Sequence, residues 1–353
     1  MKFDFIIGNP PYQEETETQS ATNGQKPRKN IFHHFQMQAD IISKEGTVLI
    51  YPGGRWIHQS GKGLQQFGFE QINHKKLEKV IFYPNAKEVF STTDIPDGIS
   101  IVIKRKSKKT SGFVYSYVNK NCEESFRVDN PGDELMPFDP KDLQILKKVD
   151  NFVKNNNLKY LHDAVLPRSL FAIESDFVEK NPEIVREYVE GEKIDCNREI
   201  KIFTNDKAGA AGRSKWFVTD RNIIKQNQKY ISEWQVVVSS AHAGGQEGRD
   251  NQISIIDNES AFGRARVALR SFKSLKEAVN FKNYVNSKII RYTFLMTDEA
   301  LTSLAKRVPD LIDYNDKNGI IDFSLELDID KQLASIIGFT EEELQYIYKK
   351  AAE

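Results

Sequence analysis

Phe3-Asp4-Phe5-Ile6-Ile7-Gly8-Asn9-Pro10-Pro11-Tyr12 decides how the rest of this 353-residue chain is read. Residues 3–7 are aromatic and branched, the composition of a short buried strand, and Gly8 ends the run. The loop that follows then sits at a strand's carboxyl edge, where open α/β sheets bind ligands. Asn9 precedes a proline and is held toward extended angles. Pro10 and Pro11 fix φ and bring no N–H, so the segment joins neither a helix nor a ladder. The Asn9 side-chain oxygen and the Pro10 carbonyl can therefore face one ligand, with the Tyr12 ring as a stacking surface. The plainer reading of the same four residues is a rigid turn after a strand.

Bulk charge points to no partner, because 50 basic and 50 acidic residues cancel. Nucleic-acid binding must rest on local patches. Cys122 and Cys196 match no metal or redox spacing, and the adjacent pair His33-His34 points to different sides of a helix, so no metal site is expected. Without a signal peptide or an apolar run of transmembrane length, the expectation is a soluble, cytoplasmic protein with no membrane partner.

Working outward from the loop, Gln13 to Lys29 is polar and reads as a surface loop able to close over a ligand. Ile31 to Ile42 has helical spacing, and Thr47 to Tyr51 is a β run. Pro52-Gly53-Gly54-Arg55-Trp56 turns the chain, and Ser60-Gly61-Lys62-Gly63-Leu64 opens the next segment. Lys62 lacks Walker spacing and is better suited to a nucleic-acid backbone than to a nucleotide phosphate. Leu77 to Tyr83 and Gly98 to Lys104 are further strands, which closes an α/β portion at about residue 107. The run Lys104-Arg105-Lys106-Ser107-Lys108-Lys109 follows, either a solvated edge or a strip lying along phosphates.

Residues 108–353 are less regular and read as a second, α+β domain, with strands near 113–118, 201–203 and 234–239. Helices are expected at 141–155, 222–230 and 275–294, and Thr340-Glu341-Glu342-Glu343 has the form of a capping box. Three loops combine glycine with basic residues: Ala208 to Phe217 with Arg213 and Lys215, Ala243 to Arg249, and Phe262 to Arg266 with Arg264 and Arg266. Glycine lets backbone approach a phosphate, and arginine contacts phosphate or a guanine edge. Ordinary turns with surface arginines are the alternative. Asp310, Asp313, Asp316 and Lys317 superficially imitate a nuclease cluster.

These segments, in this order, resemble the amino-type DNA adenine methyltransferases of restriction-modification systems, particularly the Eco57I-like methylases. The resemblance runs through Asn9 to Tyr12, the Arg55-Trp56 turn, Gly61 to Leu64, and the strands around Asp94 and Gly98. It continues in Leu269-Arg270-Ser271-Phe272, Val308-Pro309-Asp310 and Gly338 to Glu343. It implies methylation of adenine N6 in double-stranded DNA, with S-adenosylmethionine as methyl donor. Asn9 and Pro10 would hold the amine hydrogens, Pro11 would stiffen the loop, and Tyr12 would stack on an adenine flipped out of the duplex. Arg55, Lys62, Lys104, Arg105, Arg213, Lys215, Arg249, Arg264 and Arg266 are the candidate DNA contacts.

One departure is large: in such methylases a strand and glycine-rich turn for the donor precede the loop, yet eight residues precede Asn9 here. The expectation is the carboxyl-side part of a Rossmann-like methyltransferase sheet at 1–107, then a target-recognition domain at 108–353. The enzyme would be incomplete as a single chain, and a second polypeptide would supply the donor-binding half. Strand 3–7 would then show a bare apolar edge. The competing expectation is a DNA-recognition module without chemistry of its own, or the remnant of an interrupted methylase gene.

Overall fold

The computed structural model describes residues 2–15, 28–54, 56–57, 64–92, 95, 98–120, 122–129, 131–132, 136–209, 212–240, 253–296, 304–324 and 328–352. They form two compact units, Met1–Gln144 and Ile145–Glu353.

In the first unit β1 (Phe3–Gly8) leads through the ribbon β2 (Gln13–Glu15) and β3 (Arg28–Asn30) to α1 (Phe32–Ile42). Then come β4 (Ser43–Pro52), α2 (Gln65–Ile72), β5 (Leu77–Tyr83), β6 (Ile99–Arg105), β7 (Phe113–Asn119) and β8 (Cys122–Val128). The six-stranded sheet runs β1-β4-β6-β5-β7-β8. β1 is parallel to β4 and β5 to β7, while β6 is antiparallel to both β4 and β5, so the sheet is mixed. β1, α1 and β4 make a parallel crossover unit. Leu49, Tyr51, Val80, Phe82 and Val102 turn one sheet face onto Phe32 and Ala39 of α1 and Phe67 and Ile72 of α2.

The unit ends well beyond residue 107 because β7 and β8 extend the same sheet, and Met136 joins its core. The division at 107–108 is thereby corrected.

β1 is an edge strand, paired among the described residues with β4 alone. Phe3, Phe5 and Ile7 alternate onto one face and are 46%, 50% and 76% exposed. On that face Ile7 lies beside Val48, which pairs with Ile103. An uncovered parallel edge with apolar side chains is a template for association. Phe5→Lys with Ile7→Lys is therefore expected to reduce self-association of the chain. Sedimentation velocity at micromolar concentration checks this, and an unchanged distribution counts against the edge as the cause.

In the second unit α3 (Pro140–Asn155) leads in, and β9 (Lys159–Tyr160), α4 (Phe177–Lys180) and β10 (Arg186–Glu187) precede β11 (Glu199–Asn205) and β12 (Ser214–Asp220). β13 (Trp234–Ser239), β14 (Ser254–Ile256), β15 (Ser260–Phe262) and β16 (Arg266–Phe272) follow. The chain closes with α5 (Leu275–Asn286), α6 (Lys288–Leu295), β17 (Pro309–Asp310), α7 (Ile329–Ile337) and α8 (Glu341–Ala352). Sheets β10-β12-β11-β15 and β14-β13-β16 share a core of Ile200, Ile202, Phe217, Val237 and Ala268. The alternate residues Val236, Val238, Val267 and Leu269 face the helices with Phe281, Tyr284 and Ile289. Period-two alternation along β13 and β16 thus joins three layers.

Two expected helices differ. Segment 275–294 breaks at Ser287, which is extended (φ −63°, ψ 147°). Buried Asp330 accepts the Lys288 and Ile289 N–H groups at 2.9 and 2.8 Å, starting a new helix there. Segment 222–230 is two 3-10 turns, Arg221–Ile223 and Gln228–Ser232, separated by Asn227 at φ 58°. The capping box is present: Thr340 N donates to Glu343 Oε2 at 2.7 Å, and Glu343 N to Thr340 Oγ1 at 3.3 Å.

Candidate active site and nucleic-acid interface

The loop Asn9 to Tyr12 leaves the carboxyl end of β1, where the last register pair is Gly8 with Leu49 of β4. Asn9 and Pro11 are exposed, and Pro10 and Tyr12 are half-buried. The Tyr12 ring packs against the sheet core, and its carbonyl accepts the Ile31 N–H at 3.0 Å. That bond ties the loop to the start of α1, whose first residue, Phe32, is wholly buried against Tyr51 and Phe67. Burial raises the Tyr12 phenol above its ordinary value, and the neighbouring Asn9 side chain opposes the shift. Tyr12 is therefore neutral at physiological pH, presenting an uncharged ring beside Asn9. The β2–β3 ribbon, Gln13 paired with Asn30, continues directly from this loop; the polar segment gives no periodic signal for it.

Behind α1 lies a buried polar network. Gln36 Nε2 donates to Asp40 Oδ1 at 2.7 Å and to Thr47 Oγ1 at 3.1 Å, while Tyr51 Oη donates to Gln36 Oε1 at 2.5 Å. Lys104 completes it, 2.7 Å from Asp40 Oδ2. Lys104 is 4% exposed, so its placement among the phosphate contacts is corrected: its charge is answered inside the unit. Burial pulls its ammonium below the ordinary lysine value, with Asp40 opposing. Neighbouring Arg105 is on the surface, 2.6 Å from Glu78.

Whether the described residues offer a donor cradle turns on the glycines at strand ends. A Cβ at Gly54 would meet the Phe138 ring at 2.3 Å, and one at Gly98 (φ +72°) would meet the Tyr83 carbonyl oxygen at 2.2 Å. Protein atoms fill both turns, so neither fits S-adenosylmethionine. Arg55, Lys62, Asp94 and Arg249 lie outside the described residues.

In the second unit the separated basic segments meet at one end. Gly263 N donates to Phe203 O at 2.9 Å, Ser240 N to Ala265 O at 2.9 Å, and Arg266 Nε to Ser214 Oγ at 3.3 Å. Arg213 is anchored through its backbone to Asp206, and its side chain bonds Gly212 O at 3.0 Å. Lys215 pairs with Glu187 at 3.2 Å and Arg264 with Glu174 at 2.7 Å, both on the surface. Arg266 is 4% exposed and lies over the Phe203 ring, 5.0 Å from its centroid. It therefore braces the sheet instead of standing free as a phosphate contact, which corrects that expectation.

The carboxylates that imitate a nuclease cluster are structural. Asp310 is buried, paired with Arg270 and bonded by Tyr314 Oη at 3.0 Å, while Asp316 pairs with Lys276 at 2.5 Å.

Residues 1–90 match the family model of the Eco57I restriction-modification methylase. The chain is 29% identical over 103 residues to an uncharacterized adenine-specific methylase of Mycoplasma pneumoniae, covering 29% of this chain and 24% of that protein. Similar solved structures include the type I restriction-modification methyltransferase subunit from Streptococcus thermophilus, with 18% identity, 35% of this chain and 29% of that one covered, and a TM-score of 0.23. The type IIG restriction endonuclease BpuSI is another, with 10% identity, 99% and 53% coverage and a TM-score of 0.32. The type IIL restriction-modification enzyme MmeI, solved with DNA, has 8% identity, 98% and 53% coverage and a TM-score of 0.36. The match thus spans 24% of the curated relative's length. Residues 1–90 are the part of this chain that carries the pattern of the Eco57I restriction-modification methylase family.

Proposed function

We propose that this chain supplies the catalytic loop and the DNA-recognition surface for methylation of adenine N6 in double-stranded DNA. The observation that carries the reading is the exposed Asn9-Pro10 pair at the carboxyl end of β1, beside the half-buried Tyr12 ring, inside the stretch that matches the methylase family.

The adenine amine is a poor nucleophile because its lone pair is delocalised into the ring. Two acceptors that hold its hydrogens, the Asn9 side-chain oxygen and the Pro10 carbonyl, favour a more tetrahedral nitrogen. Pro11 keeps both acceptors rigid, and Tyr12 stacks on a flipped base, a contact of roughly 1 to 3 kcal/mol. S-adenosylmethionine would supply the methyl group. The filled glycine turns support a donor site built mainly outside the described residues, and the bare apolar edge of β1 suits completion by another polypeptide segment.

On this reading the second unit recognises DNA. Arg213→Ala is expected to weaken binding about equally for all sequences and to reduce the salt slope by about one, the mark of a lost phosphate contact. Anisotropy titrations at several salt concentrations check this; a sequence-selective loss would assign Arg213 to a base instead.

The filled turns also favour a second reading, a recognition module that performs no chemistry alone. Transfer of labelled methyl groups to mixed-sequence duplex DNA, with this chain alone and with the polypeptide encoded immediately upstream, separates the two. Activity in either mixture supports the methylase; DNA binding without transfer in both supports the module.

A further inference from the structure

The outer face of the four-stranded sheet carries side chains that the proposed reading has not used. Phe203 of β11 is in register with Trp216 of β12, and Tyr188, one residue beyond β10, donates its N–H to the Trp216 carbonyl at 2.9 Å. Three aromatic side chains therefore stand abreast across three neighbouring strands. All three are half-exposed, while Ile202 and Phe217, pointing the other way, are buried. The Phe203 and Trp216 centroids are 5.1 Å apart.

One register step along the strands lies a second row, Arg186 and Lys201 flanking buried Val218. Lys201 Nζ sits 5.5 Å from both the Tyr188 and Trp216 ring centroids. Both cations are answered by carboxylates: Lys201 lies 2.5 Å from Asp257, and Arg186 lies 2.6 Å from Glu192 and 3.1 Å from Glu199. The face thus offers braced aromatic planes with little net charge for phosphate.

We propose that the Tyr188-Trp216-Phe203 row is a stacking platform for unpaired nucleobases of a nucleic acid. This rests on the reading that the second unit engages DNA, and it adds which chemical part of the strand the unit holds. Rings fixed by neighbouring cations lose little freedom when a base stacks on them, so the contact is preorganised. Because the cations are already paired, recognition here follows the base plane and not the backbone charge.

The test uses the full chain and two fluorescent probes of equal length, an oligothymidylate and an abasic oligomer with the same phosphates. The wild type is expected to prefer the thymidylate by about ten-fold, the effect of a stacked base. Added salt should weaken both probes equally and leave their ratio unchanged. Trp216→Leu, which keeps apolar volume without the π face, should abolish the preference, and Trp216→Phe should retain most of it. Equal affinity of the wild type for both probes, or an undiminished preference in folded Trp216→Leu, overturns the proposal; equal affinity would point to a protein-facing surface. Loss of methyl transfer with the base preference intact counts against the methylase reading alone.

Discussion

Asn9→Ala is expected to lower methyl transfer by at least about 100-fold in the completed enzyme, the scale of losing one preorganised polar contact to a reacting group. Thermal stability should barely change, since Asn9 is exposed and the Tyr12 carbonyl remains tied to Ile31. The main loss should fall on kcat, because the amide oxygen contacts the nitrogen whose geometry changes during reaction. Retained transfer in a folded variant would remove the loop from the chemistry. Loss of DNA binding in parallel with activity would make Asn9 a binding residue instead.

The second large effect concerns stability. Asp40→Ala is expected to destabilise the first unit by about 2 to 3 kcal/mol, because it leaves the Lys104 ammonium buried without its carboxylate. The value sits at the low end for such pairs since the Asp40 side chain is 30% exposed. Gln36 also loses an acceptor, although Thr47 and Tyr51 remain bonded to it. Lys104→Met should be close to neutral, and in combination with Asp40→Ala it should recover most of the loss. Urea unfolding followed by tryptophan fluorescence measures this through Trp56, which is buried in the same unit and bonded to Ser100. If Lys104→Met leaves stability unchanged but weakens DNA binding, the lysine faces phosphate after all.

The elements around the loop were readable locally because each carries its own signal. Leu77 to Tyr83 matches β5, and the helical spacing before residue 42 marks α1. The break at Ser287 was not readable: the apolar spacing continues through it, and the interruption depends on Asp330, more than forty residues away in sequence, capping Lys288 and Ile289. The 3-10 turns after Asp220 likewise rest on local hydrogen bonding and the left-handed Asn227, which a propensity reading averages away.

For the candidate site, sequence alone determined the rigid Asn-Pro-Pro-Tyr loop after a strand, because proline geometry and a short apolar run act within a few residues. It also identified the glycine-rich basic segments of the second unit. Tertiary structure alone decided which of their charges are available. Lys104 and Arg266 read as surface cations until strand pairing places one beside Asp40 and the other over Phe203. It alone set Tyr188, Trp216 and Phe203 abreast, since cross-strand register joins residues that are far apart along the chain. The physical reason is common to both: conformational preference is local, whereas burial, charge pairing and register are properties of neighbours that only folding supplies.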